Sequence, residues 1–163
     1  MPINLKTKLN NKHKDKRGYY WTSWKKGTFK KISFRHDKFS LSRKNVLRGL
    51  HGDNKTWKLV SCPYGKFLLV VVNYNKSSKN YLKSKSWILS QKNGLQILIP
   101  PNYANGHLCL SKECLFHYKL SYKGSYVDAK KQFSLRWNDP KINIKWPIKN
   151  PILSKRDKTS RLL

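Results

Sequence analysis

The chain contains several short apolar runs, and the longest uninterrupted one extends from Phe67 to Val72. A run of this length without polar alternation is typical of a β-strand covered on both faces. A second run, Leu95 to Ile99, is followed by two prolines, which cannot donate to a ladder of backbone hydrogen bonds. Clusters of Gly, Asn, Ser, Pro and Lys separate such runs, and no segment combines a helix cap with a 3.6-residue apolar period. The sequence therefore predicts an all-β chain, either a barrel or a two-sheet sandwich of short strands.

Two further segments refine this prediction. "HLCLSKECLFHYKL" resembles a hairpin with its turn near Lys112 and Glu113. In "KINIKWP", Ile142, Ile144 and Trp146 alternate with polar residues, so we expect one buried and one solvated face.

The chain is strongly basic, and its 163 residues are enough for one domain. The formal net charge of +29 attracts anions, which is compatible with nucleic acid or an acidic membrane surface. However, Lys far outnumbers Arg, the residue that recognises guanine edges, and Asn is frequent as well. This composition is also what an AT-rich coding sequence produces, so we expect no specific nucleic-acid partner.

The sequence features that report on cellular compartment favour the cytoplasm. The amino-terminal residues contain no apolar stretch of the kind a secretory signal needs, and no run approaches the ~20 apolar residues of a membrane span. Cys62, Cys109 and Cys114 have no metal or redox spacing, so we expect reduced thiols. Residues 1–16 resemble a basic, poorly ordered arm, and residues 17–163 a single domain.

Four polar residues interrupt the strand-like segment "VLRGLHGDNKTWKLV": Arg48, His51, Asp53 and Lys58. Inward-facing polar groups of a small barrel must pair with one another or line a ligand cavity. Cations in such a cavity suit an anion or a developing oxyanion, and a histidine can act as a base near neutral pH. A purely structural histidine is the alternative. In an ideal strand Arg48 and His51 would point to opposite faces, but a bulge at Gly49 would bring them to one face.

A second candidate lies in "FHYKLSYKGSY", where Tyr118 shares a strand face with two apolar neighbours and could serve as an acid or simply be a buried structural tyrosine. The five histidines include no pair in metal-ligand spacing, and the scattered glycines form no phosphate-binding loop. We therefore expect neither a metal nor a cofactor.

Six segments, in order, resemble signatures of the dTDP-4-dehydrorhamnose 3,5-epimerase family: "SRKNVLRGLH", "KLV", "IPPNYANGH", "HYK", "RWNDPKINIKWP" and "PILSKRD". The resemblance extends from about Asp15 to Arg156. It implies a cupin-type double-stranded β-helix, that is, a jelly-roll barrel, with short peripheral helices or turns. It further implies a metal-free homodimer whose substrate is a nucleoside-diphosphate 4-keto sugar destined for surface polysaccharide.

The resemblance also implies roles for individual residues. His51 matches the family's base, Asp157 the carboxylate that orients it, and Lys58 the cation beside the ketone oxygen. Tyr118 matches the acid that reprotonates the enolate, and Arg48 a helper of Lys58 or a phosphate contact. The remaining matches are substrate-binding positions: Arg17 and Tyr20 in "KRGYYWT", for the nucleotide of a partner subunit, and Asn105, His107 and Tyr126.

This chain departs from the family pattern at several positions. Asn105 replaces the histidine of "PPGFAHGF", Thr22 replaces an acidic residue after "RGF", and Leu69 and Asn73 replace the carboxylates of "DVAVD". These departures resemble a branch that acts on GDP-linked or CDP-linked 4-keto heptoses or hexoses. The residues leave two alternatives open: a sugar-nucleotide 3,4-ketoisomerase and a non-catalytic basic barrel that binds polyanions.

Overall fold

The computed structural model describes residues 3–124 and 131–163, which form two packed antiparallel sheets. The elements are β1 (Thr7–Leu9), β2 (His13–Asp15), β3 (Gly18–Tyr20), β4 (His36–Arg43), β5 (Leu47–Gly52), β6 (Lys58–Tyr64), β7 (Lys66–Asn73), β8 (Ser84–Ser90), β9 (Leu95–Ile99), β10 (Tyr103–Cys109), β11 (Glu113–Leu120), β12 (Phe133–Ser134) and α1 (Lys155–Thr159). The first sheet has the order β1-β9-β6-β11-β4, the second has the order β12-β5-β10-β7-β8, and β2 and β3 form a separate two-stranded ribbon. The all-β prediction is confirmed.

Strand β7 is buried on both faces, as its continuous apolar run predicts. Leu69 and Val71 belong to the main core cluster, which lies between the two sheets. Val70 and Val72 belong to a second cluster on the outer face of the second sheet, covered by residues that follow β12 such as Leu135. The carboxyl-terminal segment therefore closes the second core and at the same time approaches the end of β5.

Part of the predicted amino-terminal arm belongs to the first sheet. Strand β1 pairs with β9, and Ile3 and Leu5 are buried in the main core cluster. The expectation of a poorly ordered arm is therefore wrong for these residues. The lysines dominate the composition of the segment, but alternation of Ile3 and Leu5 with polar neighbours gives it one apolar face.

The segment predicted as a hairpin instead connects the two sheets. Strand β10 pairs with β5 and β7, whereas β11 pairs with β4 and β6. The hairpin prediction is wrong, because apolar periodicity identifies strands but not their partners. Ile142 is buried, and Ile144 and Trp146 pack against the second cluster, but no strand forms there.

A bulge in β5 determines which side chains face the interior near its end. Asn105 lies opposite His51 and His107 opposite Arg48, so the pairing of β10 with β5 shifts by one residue between them. Gly49 lies in this bulge with φ +113°, and a Cβ there would lie 2.6 Å from the carbonyl oxygen of Asn105. The bulge predicted at Gly49 is present, and it lets Arg48 and His51 line the same cavity.

We expect Gly49→Ala to destabilise the protein far more than Gly27→Ala. Both glycines have positive φ, which costs alanine about 1 kcal/mol, but a Cβ at Gly27 would meet nothing within 4 Å. Gly49→Ala adds a clash with backbone atoms of β10, for a total of about 3 kcal/mol or more. Urea unfolding measures both variants, and equal losses would contradict this account of the bulge.

Candidate active site

A cavity of about 330 Å³ lies between the two sheets, where β5, β6, β10 and β11 approach α1. The structure brings seven of the residues predicted from the sequence into its lining. These are Arg48, His51, Lys58, Asn105, His107, Tyr118 and, from α1, Asp157.

The imidazole of His51 and the carboxylate of Asp157 form a hydrogen bond across a large sequence separation. His51 Nε2 lies 2.7 Å from Asp157 Oδ1, and the two residues are 106 positions apart. Because an ionised carboxylate can only accept, Nε2 carries the proton, and the lone pair of a neutral ring is then on Nδ1. The His51 side chain is 24 % exposed and that of Asp157 only 3 %. The pair therefore has the arrangement of a general base with an orienting carboxylate.

Helix α1 fixes the Asp157 carboxylate. Its N-cap residue, Ser154, donates from Oγ to Asp157 Oδ2 at 2.8 Å and accepts from the Asp157 backbone N–H at 3.2 Å. Burial raises the pKa of Asp157, but the hydrogen bond and charge of His51, together with Ser154 and the backbone of Gly49, outweigh this, so the pKa is lowered. Asp157 therefore stays ionised beside the imidazole.

The ammonium group of Lys58 lies at the wall of the cavity below His51. Lys58 Nζ donates to Asn105 Oδ1 at 2.9 Å and to the carbonyl oxygen of His51 at 3.3 Å. Burial lowers the pKa of Lys58 to about 8; the charge of Asp53 opposes this effect, and that of Arg156 adds to it. The site thus holds a cation that is charged at neutral pH but has lost most of its hydration.

Tyr118 reaches the cavity from the opposite sheet. It shares the inner face of β11 with Phe116 and Leu120, as predicted, and all three line the cavity. Its ring lies 5.2 Å from that of Phe116, which belongs to the main core cluster. An imidazole from the second sheet and a phenol from the first therefore line the same cavity.

Arg48 and His107 are linked through Ser42. Arg48 Nε donates to Ser42 Oγ at 3.0 Å, and that hydroxyl lies 3.3 Å from His107 Nε2. The His107 ring stacks on Phe116 at 4.3 Å. Burial, and secondarily the charge of Arg48, lowers the pKa of His107 to about 3, although Asp157 opposes the shift. His107 is therefore neutral at physiological pH.

The relationship of this chain to known proteins follows from its match to the sequence model of one protein family. The model of dTDP-4-dehydrorhamnose 3,5-epimerase matches residues 5–163. The chain belongs to this family.

Individual epimerases are similar over most of their length. The dTDP-4-dehydrorhamnose 3,5-epimerase of Salmonella typhimurium is 37 % identical, over 91 % of this chain and 85 % of its own. The crystal structure of the Legionella pneumophila dTDP-6-deoxy-D-glucose-3,5-epimerase, in complex with dTDP-4-keto-L-rhamnose, is 31 % identical with a TM-score of 0.90. That match covers 97 % of this chain and 87 % of the other. The Bacillus anthracis dTDP-4-dehydrorhamnose 3,5-epimerase, with TDP and pyrophosphate bound, is 30 % identical with a TM-score of 0.89 and coverages of 96 % and 94 %.

Membership of the epimerase family confirms the jelly-roll fold and the isomerase class. The names of these relatives specify dTDP, so they do not support closeness to a GDP- or CDP-specific branch.

Arg17 and Tyr20 lie elsewhere in the structure. Arg17 pairs with Asp15 at 2.5 Å in the β2–β3 ribbon, and Tyr20 stacks on His13 at 5.2 Å. Tyr20 lines a separate cavity of about 420 Å³, and neither residue lines the cavity that holds His51. Tyr126 lies outside the described residues.

Several lining residues were not predicted from the sequence. These are Ser40, Thr56, Gln132, Ser154 and Arg156, with Asp53 noted only as a polar residue. Arg156 donates from Nη2 to Ser134 Oγ at 2.8 Å and from Nη1 to Gln132 Oε1 at 3.4 Å, which fixes its guanidinium at the cavity wall. The available signal was its position next to Asp157.

No group of three His, Cys, Asp or Glu side chains in residues 3–124 and 131–163 could hold a metal ion. Within the same residues, no helix has the length and apolar content needed to cross a bilayer.

We expect the stability of the wild type relative to that of Lys58→Met to rise by about 3 kcal/mol between pH 8 and pH 10.5, because burial disfavours the charged ammonium. The pKa of Lys58 is about 8 in the folded state against an ordinary value of 10.5, so in this range the unfolded chain binds more protons than the folded one. Wild-type stability therefore rises with pH there, whereas the variant lacks this contribution. Urea unfolding from pH 7 to 10.5 measures both proteins, with Lys66→Met as a surface control, and a stability difference independent of pH would contradict the prediction.

Proposed function

We propose that this protein epimerises C3, C5 or both of a nucleoside-diphosphate 4-keto sugar, in the cytoplasm, during the synthesis of surface-polysaccharide sugars. The observation that carries the proposal is the His51–Asp157 hydrogen bond in a cavity that Lys58 and Tyr118 also line. A proton next to a ketone is too weakly acidic for water to remove, and these residues supply what the reaction needs.

His51 is the base in this mechanism. Its Nδ1 lone pair removes the proton α to the C4 ketone, and the ring becomes an imidazolium. The buried Asp157 carboxylate, held by Ser154, stabilises that charge and keeps the ring oriented.

Lys58 stabilises the enolate that forms. Removing the α-proton transfers negative charge to the ketone oxygen, and a desolvated ammonium stabilises it more than a solvated one does. Asn105, which replaces the histidine common in the family, accepts from Lys58 Nζ at 2.9 Å and so helps orient the ammonium.

Tyr118 returns a proton from the other side of the ring. His51 comes from β5 of the second sheet and Tyr118 from β11 of the first, so the two groups lie on opposite walls of the cavity. Proton removal on one face followed by delivery on the other inverts the carbon. Arg48, His107 and Arg156 are left to bind the sugar or the diphosphate.

The relatives and the sequence favour different nucleotides in the substrate. The named relatives favour a dTDP-linked substrate. Thr22, Leu69 and Asn73 replace acidic residues of the family pattern and are the reason to include GDP- and CDP-linked sugars. A net charge of +29 assists capture of any of these diphosphates.

The test is incubation with dTDP-, GDP- and CDP-linked 4-keto sugars in deuterated water. We expect wild type to introduce deuterium at one or two ring carbons and His51→Asn to reduce exchange at least about 10³-fold, because the base is lost. Tyr118→Phe should retain exchange while losing inversion, because the acid acts second.

Tyr64→Phe, at an exposed position, is the matched control for Tyr118→Phe, and thermal unfolding checks each fold. NMR of the product distinguishes epimerisation from 3,4-ketoisomerisation. Full exchange in His51→Asn would exclude the proposed role of the imidazole.

We further propose that the protein is a homodimer and that Arg17 and Tyr20 bind the nucleotide held by the partner subunit. The exposure of both residues, on a ribbon outside the cavity, supports this assignment. Arg17→Ala should raise KM about tenfold with little change in kcat, because only binding is affected. Steady-state kinetics and sedimentation measure the two parts, and a monomer with an unchanged KM would refute both.

A further inference from the structure

Asp53 is a buried carboxylate in the turn between β5 and β6, and it lines the cavity with Lys58. Its Oδ1 accepts from the backbone N–H groups of Lys55 at 2.9 Å and Thr56 at 2.7 Å. Its Oδ2 is also buried and has no hydrogen-bond partner among the described residues.

The turn itself does not require a negative charge. Both backbone donors bind Oδ1, and the amide oxygen of an asparagine forms the same turn. Burying a carboxylate where an amide would serve is costly unless its charge is compensated. A negative charge at Asp53 is therefore expected to have a nearby buried cation that it stabilises.

Lys58 is that cation. The groups that accept from Lys58 Nζ, the side-chain oxygen of Asn105 and the carbonyl of His51, are both neutral. No described carboxylate lies within 4.0 Å of it. The charge of the buried Lys58 is thus stabilised at longer range, through a medium that screens poorly.

We propose that Asp53 is a positioning residue that keeps the Lys58 ammonium charged at the pH at which the enzyme works. The proposal rests on the proposed function, because that function gives the charge on Lys58 its use. Burial lowers the pKa of Lys58 to about 8, and the Asp53 charge is the opposing influence that keeps it from falling further.

The other charged groups around Lys58 make this compensation necessary. Arg156, from α1, further lowers the pKa of Lys58. The strands that flank Lys58 pair Ile99 and Leu120 with it, so they bring no charge at that level. The remaining titratable groups of the cavity are Arg48, His51, His107, Tyr118 and Asp157.

The test is Asp53→Asn, which keeps the turn and removes only the charge. The alkaline limb of kcat/KM, near pH 8 in wild type if Lys58 must be protonated, should move about one pH unit toward acid in the variant. Asp37→Asn is the matched control, since it removes a carboxylate that pairs with His117 and Lys119 outside this cavity. An unmoved limb, or an equal shift in the control, overturns the proposal.

A second measurement does not depend on activity. NMR titration of lysine side-chain signals, with Lys58 assigned from Lys58→Met, reports its protonation without substrate. We expect the Lys58 midpoint to fall in Asp53→Asn, and an unchanged midpoint refutes the inference even if the enzyme is an epimerase. A lowered midpoint in a protein without exchange activity refutes the proposed function instead. If Asp53→Asn does not fold, Asp53→Ser offers a hydroxyl to the same turn.

Discussion

The hydrogen bond between His51 and Asp157 unites the parts of this structure that matter for function. The imidazole comes from β5, which pairs with the edge strand β12 of the second sheet, and the carboxylate comes from a five-residue helix 106 positions later. The two meet because residues after β12 pack on the outer face of that sheet, against Leu50, Val70 and Val72. Hydrophobic burial of this segment therefore fixes the position of the carboxylate relative to the imidazole.

The site combines stabilised and destabilised charges. Asp157 is ionised and satisfied by His51 and Ser154, whereas Lys58 is charged against the cost of its burial. His107 lines the same cavity but is held neutral by its burial. Such an arrangement trades stability for electrostatic effect, as enzymes commonly do.

How far the sequence predicts this structure depends on how local the determining interactions are. The run from Phe67 to Val72 predicts β7, and Gly49 predicts the bulge, because strand burial and backbone conformation act within a few residues. The pairing of β10 with β5 and β7 could not be predicted, because the apolar periodicity of a strand does not depend on which strands it pairs with. Asp157 was found only through the family resemblance, and nothing local marks it as the companion of His51. The unpartnered oxygen of Asp53 could not be predicted either, because hydrogen-bond partners depend on three-dimensional contacts that the sequence does not reveal.

The segment that follows β12 and packs on the outer face of the second sheet also affects how the polypeptide folds. Synthesis proceeds from the amino terminus, so β5, β7 and β10 leave the ribosome before the segment beyond Leu135 that shields them. Until that segment is synthesised, Leu50, Val70 and Val72 form an exposed apolar surface that can aggregate with other nascent chains. Formation of the His51–Asp157 hydrogen bond and protection from aggregation are thus one late event in the biogenesis of this protein.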